Sequence, residues 1–529
     1  MLSGVGGRVP IAIILLIASV ARLWGLDFGL PSPYCRPDEE AVAAVSLSIF
    51  ARNLNPHFFD WPTLFMYVVA SCLLPYFQVG RYLGWFRGEG HFLQVNAADI
   101  STVFLIARTL SVISGVASVW LVYRVARRLF DETTAVVAAG FLALAFLHAR
   151  DSHFGVTDVA ASCLILVSFL YMVRFADSGA RKDWMKAATA AGLAASTKYN
   201  AAMIVAPAVW LAFSGGVRKP VDLAAAARLV GEFALVMALA FVAASPYVVL
   251  AFPEFLRAIR GVSAHLAGGH GVILGRGWTV HLFSSLRFGL GVPLLVAGIA
   301  GLAWLVAKAP RKGALMAAFP VLYYFLLGSG LTVFARYIVP LVPFLCLSAA
   351  LAVSEFGRWI AERAERPRWT PAVIFAIALL VIAPSAWSLW QFDRLLARAD
   401  SRLVAAEWIA QRFPGGAIVG QVGRSSSHLF FKEEGPRRPS RFKMADLERT
   451  ATDADVVVVP SSPFPQHAIA PEVLGELLAR YEPVVTIQAS DSAAGRAYDW
   501  QDEFYLPLSG FSGIVRPGPN LTIYLPKGR

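Results

Sequence analysis

Residues 186–213 read KAATAAGLAASTKYNAAMIVAPAVWLAF, and the role of the lysine in their middle decides the fold. From Gly192 to Pro207 the only charge is Lys198. A lone ammonium in so apolar a surround is costly unless it is paired or hydrated. The stretch can be one long helix carrying a buried lysine, or two short apolar runs, 186–198 and 200–213, separated at Lys198. The choice between them depends on the rest of the chain.

Outward from this stretch lie further apolar runs at 9–26, 101–123, 132–149, 154–174, 229–250, 288–307, 313–331, 336–354 and 371–391. The 529 residues are 57% hydrophobic and only 16% charged, more apolar surface than a soluble protein of this length can hide. Short loops hold Arg124, Arg127 and Arg128; Arg174, Arg181 and Lys182; Arg218 and Lys219; Lys308, Arg311 and Lys312; and Arg358, Arg363, Arg366 and Arg368. Such loops stay in the cytoplasm. The alternation works only if Lys198 separates two half-length spans. The expectation is a polytopic α-helical membrane protein with about 11 transmembrane helices in residues 1–391. Most of the net charge of +12 is then explained by topology, and no aromatic-studded basic tract points to nucleic acid.

The first run lacks a convincing small-x-small cleavage site, so it reads as an uncleaved span. Residues 27–100 become one long outer loop. Within it the apolar stretch 62–84 begins Trp61-Pro62 and suits a helix lying at the interface or dipping in and out. The alternative is a genuine span that shifts the count by one. A Cys35–Cys72 disulfide is conceivable. After Trp390 the composition turns polar. Ala405–Phe413 reads as a helix and Ala417–Val422, Asp455–Pro460, Glu482–Gln488 and Leu521–Leu525 as strands. Residues 392–529 are thus a small soluble α/β domain, which the span count places outside.

The ionisable residues collect on the outer side under this topology. Arg36-Pro37-Asp38-Glu39-Glu40 sets carboxylates side by side beyond the first span. Like charges this close raise one carboxyl's pKa, which suits a proton acceptor. They can also hold a divalent metal through oxygen ligands, or simply be a solvated loop or the acidic start of a helix. Arg150, His153 and Asp158 follow the third run. Arg150 can grip a phosphate bidentately or snorkel at a span end. Lys198, with Tyr199 beside it, can meet a lipid phosphate or pair internally with Asp158 or Asp38. Arg336-Tyr337 opens the tenth run. His57 and Trp61 belong to an aromatic stretch, residues 55–62, that can be a sugar or lipid platform or an interface belt. No GxGxxG follows a strand and no Walker A sequence occurs, so a nucleotide-sugar donor has no visible site.

Several of these segments, taken in order over residues 8–391, resemble the GT-C superfamily of membrane glycosyltransferases. The branch is the one holding protein O-mannosyltransferases, the aminoarabinose transferase of lipid A and RgtA/B/C/D-like enzymes. The segments are Asp38-Glu39, Asn55-Pro56-His57 with Trp61-Pro62-Thr63-Leu64, RVARRLF at 124–130, Arg150 through Asp158, GLAASTKYN at 192–200 and RYIVPLVP at 336–343. The resemblance implies a GT-C-like fold and a polyprenyl-phosphate sugar donor, with transfer outside the cytoplasm to a lipid, glycan or protein acceptor. Carried over, Asp38 is the general base with Glu39 beside it, and Lys198 and Arg336 lie near the donor phosphate. Some relatives carry a lysine just before a Pro-Pro-Leu stretch; Trp61 occupies that place here, leaving the phosphate to Arg150, Lys198 or Arg336. No cofactor is certain, and metal dependence stays open.

The rival from another class is a transporter or flippase for a lipid-linked or polymeric substrate. It calls for repeated halves, and the sequence has no internal repeat. A membrane sensor with an outer α/β domain leaves the acidic pair and Lys198 without a role.

Overall fold

A computed structural model describes residues 8–214, 222–432, 440–448, 453–491 and 495–528. Arg218 and Lys219, one of the basic loops that set the topology, lie outside the described residues. The chain is mostly helical with a small C-terminal sheet, and divides into two compact units. One comprises Met1–Leu23, Asn55–Val68 and Arg108–Trp390; the other comprises Trp24–Leu54, Val69–Ala107 and Gln391–Arg529.

Every apolar run of the sequence falls on helix. Among the described residues six helical stretches are long and apolar enough to cross a membrane. They are Leu64–Tyr82, Ser101–Leu129, Thr157–Ser178, Leu223–Ala244, Ala335–Arg363 and Pro367–Arg412. A seventh results if Gly277–Leu290 and Val292–Lys308, bent by 114° at Gly291, are one span. The remaining runs fall on the shorter helices Arg8–Leu23, Glu132–Leu144, Arg181–Thr197 and Val205–Phe213, and on Pro310–Gly328, a 19-residue helix that opens with Arg311 and Lys312. The stretch 62–84 is a continuous helix, Leu64–Tyr82, with the length and composition of a span rather than the broken form a re-entrant segment needs.

Lys198 does stand at a break between helices. Its backbone is extended (φ −153°, ψ 125°), ending Arg181–Thr197 and preceding a 3₁₀ turn, Tyr199–Ile204, that leads into Val205–Phe213. Small residues bring neighbouring helices close. A Cβ at Gly192 would stand 2.3 Å from the Met237 carbonyl oxygen, and one at Gly301 would stand 1.9 Å from that of Ser348. Neither position accepts a larger residue without pushing its helix away from Leu223–Ala244 or Val342–Arg363.

In the second unit the C-terminal sheet comprises β1 (Ala417–Gln421), β2 (Phe442–Asp446), β3 (Val456–Ser461), β4 (Tyr481–Ile487) and β5 (Asn520–Pro526). The order is β2-β1-β3-β5-β4, with β1 parallel to β2 and β3, and β5 antiparallel to β3 and β4. Val419, Val456, Val458, Leu521 and Ile523 pack with Ala405 and Ile409 of helix Ser401–Arg412. Val422, Val457 and Tyr481 pack with Leu477 of helix Pro471–Arg480. Parallel strands covered on both faces read as continuous apolar runs, which is why β3 was legible as VVVV. None of the four cysteines is in a disulfide, so the conceivable Cys35–Cys72 bridge is not formed.

Candidate active site

The first unit gathers buried ions on elements that pack against one another: Phe146–Asp151, the start of Thr157–Ser178, the Lys198 break and the 3₁₀ turn Ala335–Leu341. Lys198, 8% exposed, is ion-paired with Asp158, which sits in the first turn of its helix. The Lys198 ammonium also lies 4.9 Å from the centroid of the Tyr337 ring, within cation–π range. Tyr337 is fixed in turn by its carbonyl, which accepts from the Tyr323 hydroxyl at 2.9 Å. Of the two internal partners weighed for Lys198, the structure selects Asp158.

Arg150 and Asp151 form a fully buried pair at 3.0 Å, and the Arg150 guanidinium lies 5.1 Å from the Phe154 ring centroid. His153 Nδ1 is 3.0 Å from the Ala149 carbonyl, which can only accept, so Nδ1 is the donor there. Arg336 is 7% exposed and stacks 4.2 Å from the Phe334 centroid. Arg150, Lys198 and Arg336 thus bring three buried cations into a region where Asp151 and Asp158 supply two buried carboxylates. A buried cluster that holds three cations is a candidate anion site.

The aromatic stretch is fastened to the same place. The Tyr199 hydroxyl donates to the Phe59 carbonyl at 3.0 Å, and Trp61 meets Phe58 edge-on at 5.2 Å. Thr63 bonds Ser245 through both its amide and its hydroxyl, and Ser245 meets Ser196 at 2.6 Å. His57, held at a left-handed φ of 48°, pairs with Glu254 at 3.0 Å. Glu254 was missed in the sequence because nothing links it to His57 before folding.

Arg22 was missed as well. It is fully buried at the end of the first helix, where it donates to the carbonyls of Ala18, Leu142 and Ala143 and to the Ser152 hydroxyl at 3.0–3.2 Å. It also meets His148 Nδ1 at 3.2 Å. A span-end arginine reads as a snorkelling residue; here it clamps the turn before Arg150.

The acidic segment belongs to the second unit. Asp38 sits at φ 76° immediately before helix Glu39–Phe50, and its side chain does not cap that helix. Glu39 is buried and Glu40 reaches solvent. Glu39 and Glu40 occupy the first turn, so the segment does form the acidic start of a helix. Glu40 is pushed up to about 6, first by the protein mass around it and then by the Asp38 and Glu39 charges, against backbone hydrogen bonds that lower it. Among the described residues no group of three or more His, Cys, Asp or Glu is gathered as a metal site.

Residues 97–250 match the sequence profile of the dolichyl-phosphate-mannose-protein mannosyltransferase family. The whole architecture matches ArnT from Cupriavidus metallidurans in its apo state, with a TM-score of 0.57 at 14% identity, over 98% of this chain and 97% of that one. The fold is ArnT-like. ArnT bound to undecaprenyl phosphate matches with a TM-score of 0.55 at 17% identity, over 98% and 97% of the two chains. The apo oligosaccharyltransferase of Archaeoglobus fulgidus matches at a TM-score of 0.52 and 13% identity, over 83% of this chain. The chain spans 62% of the length of that oligosaccharyltransferase. No curated protein sequence matches it.

Proposed function

We propose that the protein transfers a sugar from a polyprenyl-phosphate donor to an acceptor hydroxyl on the outer face of the membrane. The observation that carries this is the cluster of Lys198, Arg150 and Arg336 with Asp158 and Asp151, buried within a GT-C fold. The matched family takes its name from a dolichyl-phosphate sugar, and an ArnT of the same fold has been solved with undecaprenyl phosphate.

In the proposed reaction the acceptor oxygen forms a bond to the sugar's anomeric carbon. The bond from that carbon to the phosphate oxygen breaks, and polyprenyl phosphate leaves. A phosphate leaves well without a strong general acid, but the charge growing on it calls for cations, supplied by Lys198 and Arg336 with Arg150. Asp158 then competes with the phosphate for Lys198, which keeps the ammonium positioned between turnovers. The acceptor's proton goes to Asp38, with Glu39 beside it. His57, Trp61, His153, Tyr199 and Tyr337 are assigned to substrate contacts. The acceptor is a lipid, a glycan or a protein, and a divalent metal is compatible with this scheme.

Basic loops inside place residues 27–100 and 392–529 outside, so Leu64–Tyr82 is read as lying in the interface despite its span-like length. Purified protein in vesicles with a radiolabelled polyprenyl-phosphate sugar tests the reading. Cleavage of the donor supports it; passage of intact donor between leaflets supports the transporter instead.

A further inference from the structure

In the C-terminal sheet the chain leaves β1 for β2 on one side and leaves β3 for helix Pro471–Arg480 and β4 on the other. The carboxyl ends of β1 and β3 therefore flank a topological switch point, where open α/β sheets form their binding crevice. Here the chain's own residues fill it. Tyr505 reaches the loop after β1 through Ser427 (2.7 Å) and the loop after β3 through His467 (3.1 Å). The neighbouring Glu503, at φ 53°, meets the other nitrogen of His467 at 3.0 Å.

The loop 499–505 that closes the crevice also holds the N-terminal segment. Arg36 makes a two-pronged, fully buried salt bridge to Asp502, at 3.1 and 3.0 Å, with its guanidinium 5.6 Å from the Phe504 ring. Two residues earlier, the Tyr34 carbonyl accepts from Arg402 at 3.0 Å. Arg402 is itself forked onto Asp400, the N-cap of helix Ser401–Arg412, at 2.8 and 2.6 Å. Asp38 follows Arg36 by two residues, so its Cα lies within about 7 Å of that anchor.

We propose that the C-terminal α/β domain is a positioning element: its switch-point crevice, closed by the loop 499–505, grips Tyr34–Arg36 and so sets where the Asp38–Glu40 carboxylates stand. The consequence for catalysis rests on the reading of Asp38 as the base. Asp502 and Arg36 are positioning residues that act through Asp38.

The test uses the full chain in vesicles with Asp502→Asn, Arg36→Lys and the joint Arg36→Gln, Asp502→Asn change. Amide exchange in a peptide spanning 34–42 should rise at least about 5-fold, while exchange in 157–178 and in β1 and β3 stays unchanged. Turnover should fall by roughly 10- to 100-fold with the donor KM unchanged, the loss expected when a catalytic group is displaced by about 1 Å. Arg36→Lys should retain more turnover than Asp502→Asn. The joint variant should be no worse than the weaker single one, because the two residues act as a unit. Arg480→Ala, which opens an exposed pair with Asp453, should change none of these. Unaltered exchange in 34–42, or equal loosening of β1 and β3, overturns the proposal. Asp38→Asn in the same assay keeps the readings apart: retained turnover there removes the base, while exchange in 34–42 still decides the grip.

Discussion

Lys198 and Asp158 form a buried ion pair under the face of Tyr337, joining a break between two helices to the first turn of a third. Each residue satisfies the other where neither charge is tolerated alone. Lys198→Ala should therefore destabilise the protein by about 3–5 kcal/mol, because it leaves Asp158 buried and uncompensated. The joint Lys198→Ala, Asp158→Ala change should recover stability, read by thermal unfolding in detergent, without recovering donor affinity. Recovery of both would make the pair structural and remove Lys198 from the phosphate.

Arg336 tests the phosphate role from a second element. Arg336→Ala should lower turnover by roughly 10²–10³-fold, the scale of losing one preorganised charge-stabilising donor. Arg336→Lys should restore some of it, since lysine keeps the charge but lacks the planar fork and the stack on Phe334. Steady-state kinetics with varied donor separate the loss in turnover from the loss in binding.

Much of this was legible before folding. The eleven apolar runs and four of the five strands follow from hydropathy period and length, and the Lys198 break from the alternation of basic loops. Strand β2, FKMAD, was not legible, because a five-residue edge strand with a lysine and an aspartate is too short and polar to stand out from a loop. The partners of the charged residues were equally hidden. Arg36 finds Asp502 across 466 residues, and His57 finds Glu254 across 197. Span-end arginines look alike in sequence, whether they snorkel or, like Arg22, clamp buried carbonyls.

Glu40 gives the acidic segment a pH signature. Its carboxyl is raised from 4.5 to about 6, so the folded protein holds that proton more tightly than the unfolded chain. This contribution to stability is fully present below the unfolded value and is lost as pH rises through about 6. If transfer needs the segment ionised, kcat/KM should rise with pH through about 6, and Glu40→Gln should erase that limb. Persistence of the limb in Glu40→Gln would assign it to another group.

The orientation has its own test. A fusion at residue 395 to alkaline phosphatase should be active, and one to a fluorescent protein that folds only in the cytoplasm should be dark. The reverse pair of results would turn the acidic segment inward and overturn transfer at the outer face.

The most direct measurement is sugar release by the purified protein from a radiolabelled polyprenyl-phosphate sugar, comparing the native chain with Asp38→Asn. The native chain should cleave the donor, and Asp38→Asn should stay folded yet transfer roughly 10²–10⁴-fold more slowly, the usual worth of a positioned base. A donor left intact by the native protein with every acceptor class, or moved whole across the bilayer, would contradict glycosyl transfer itself.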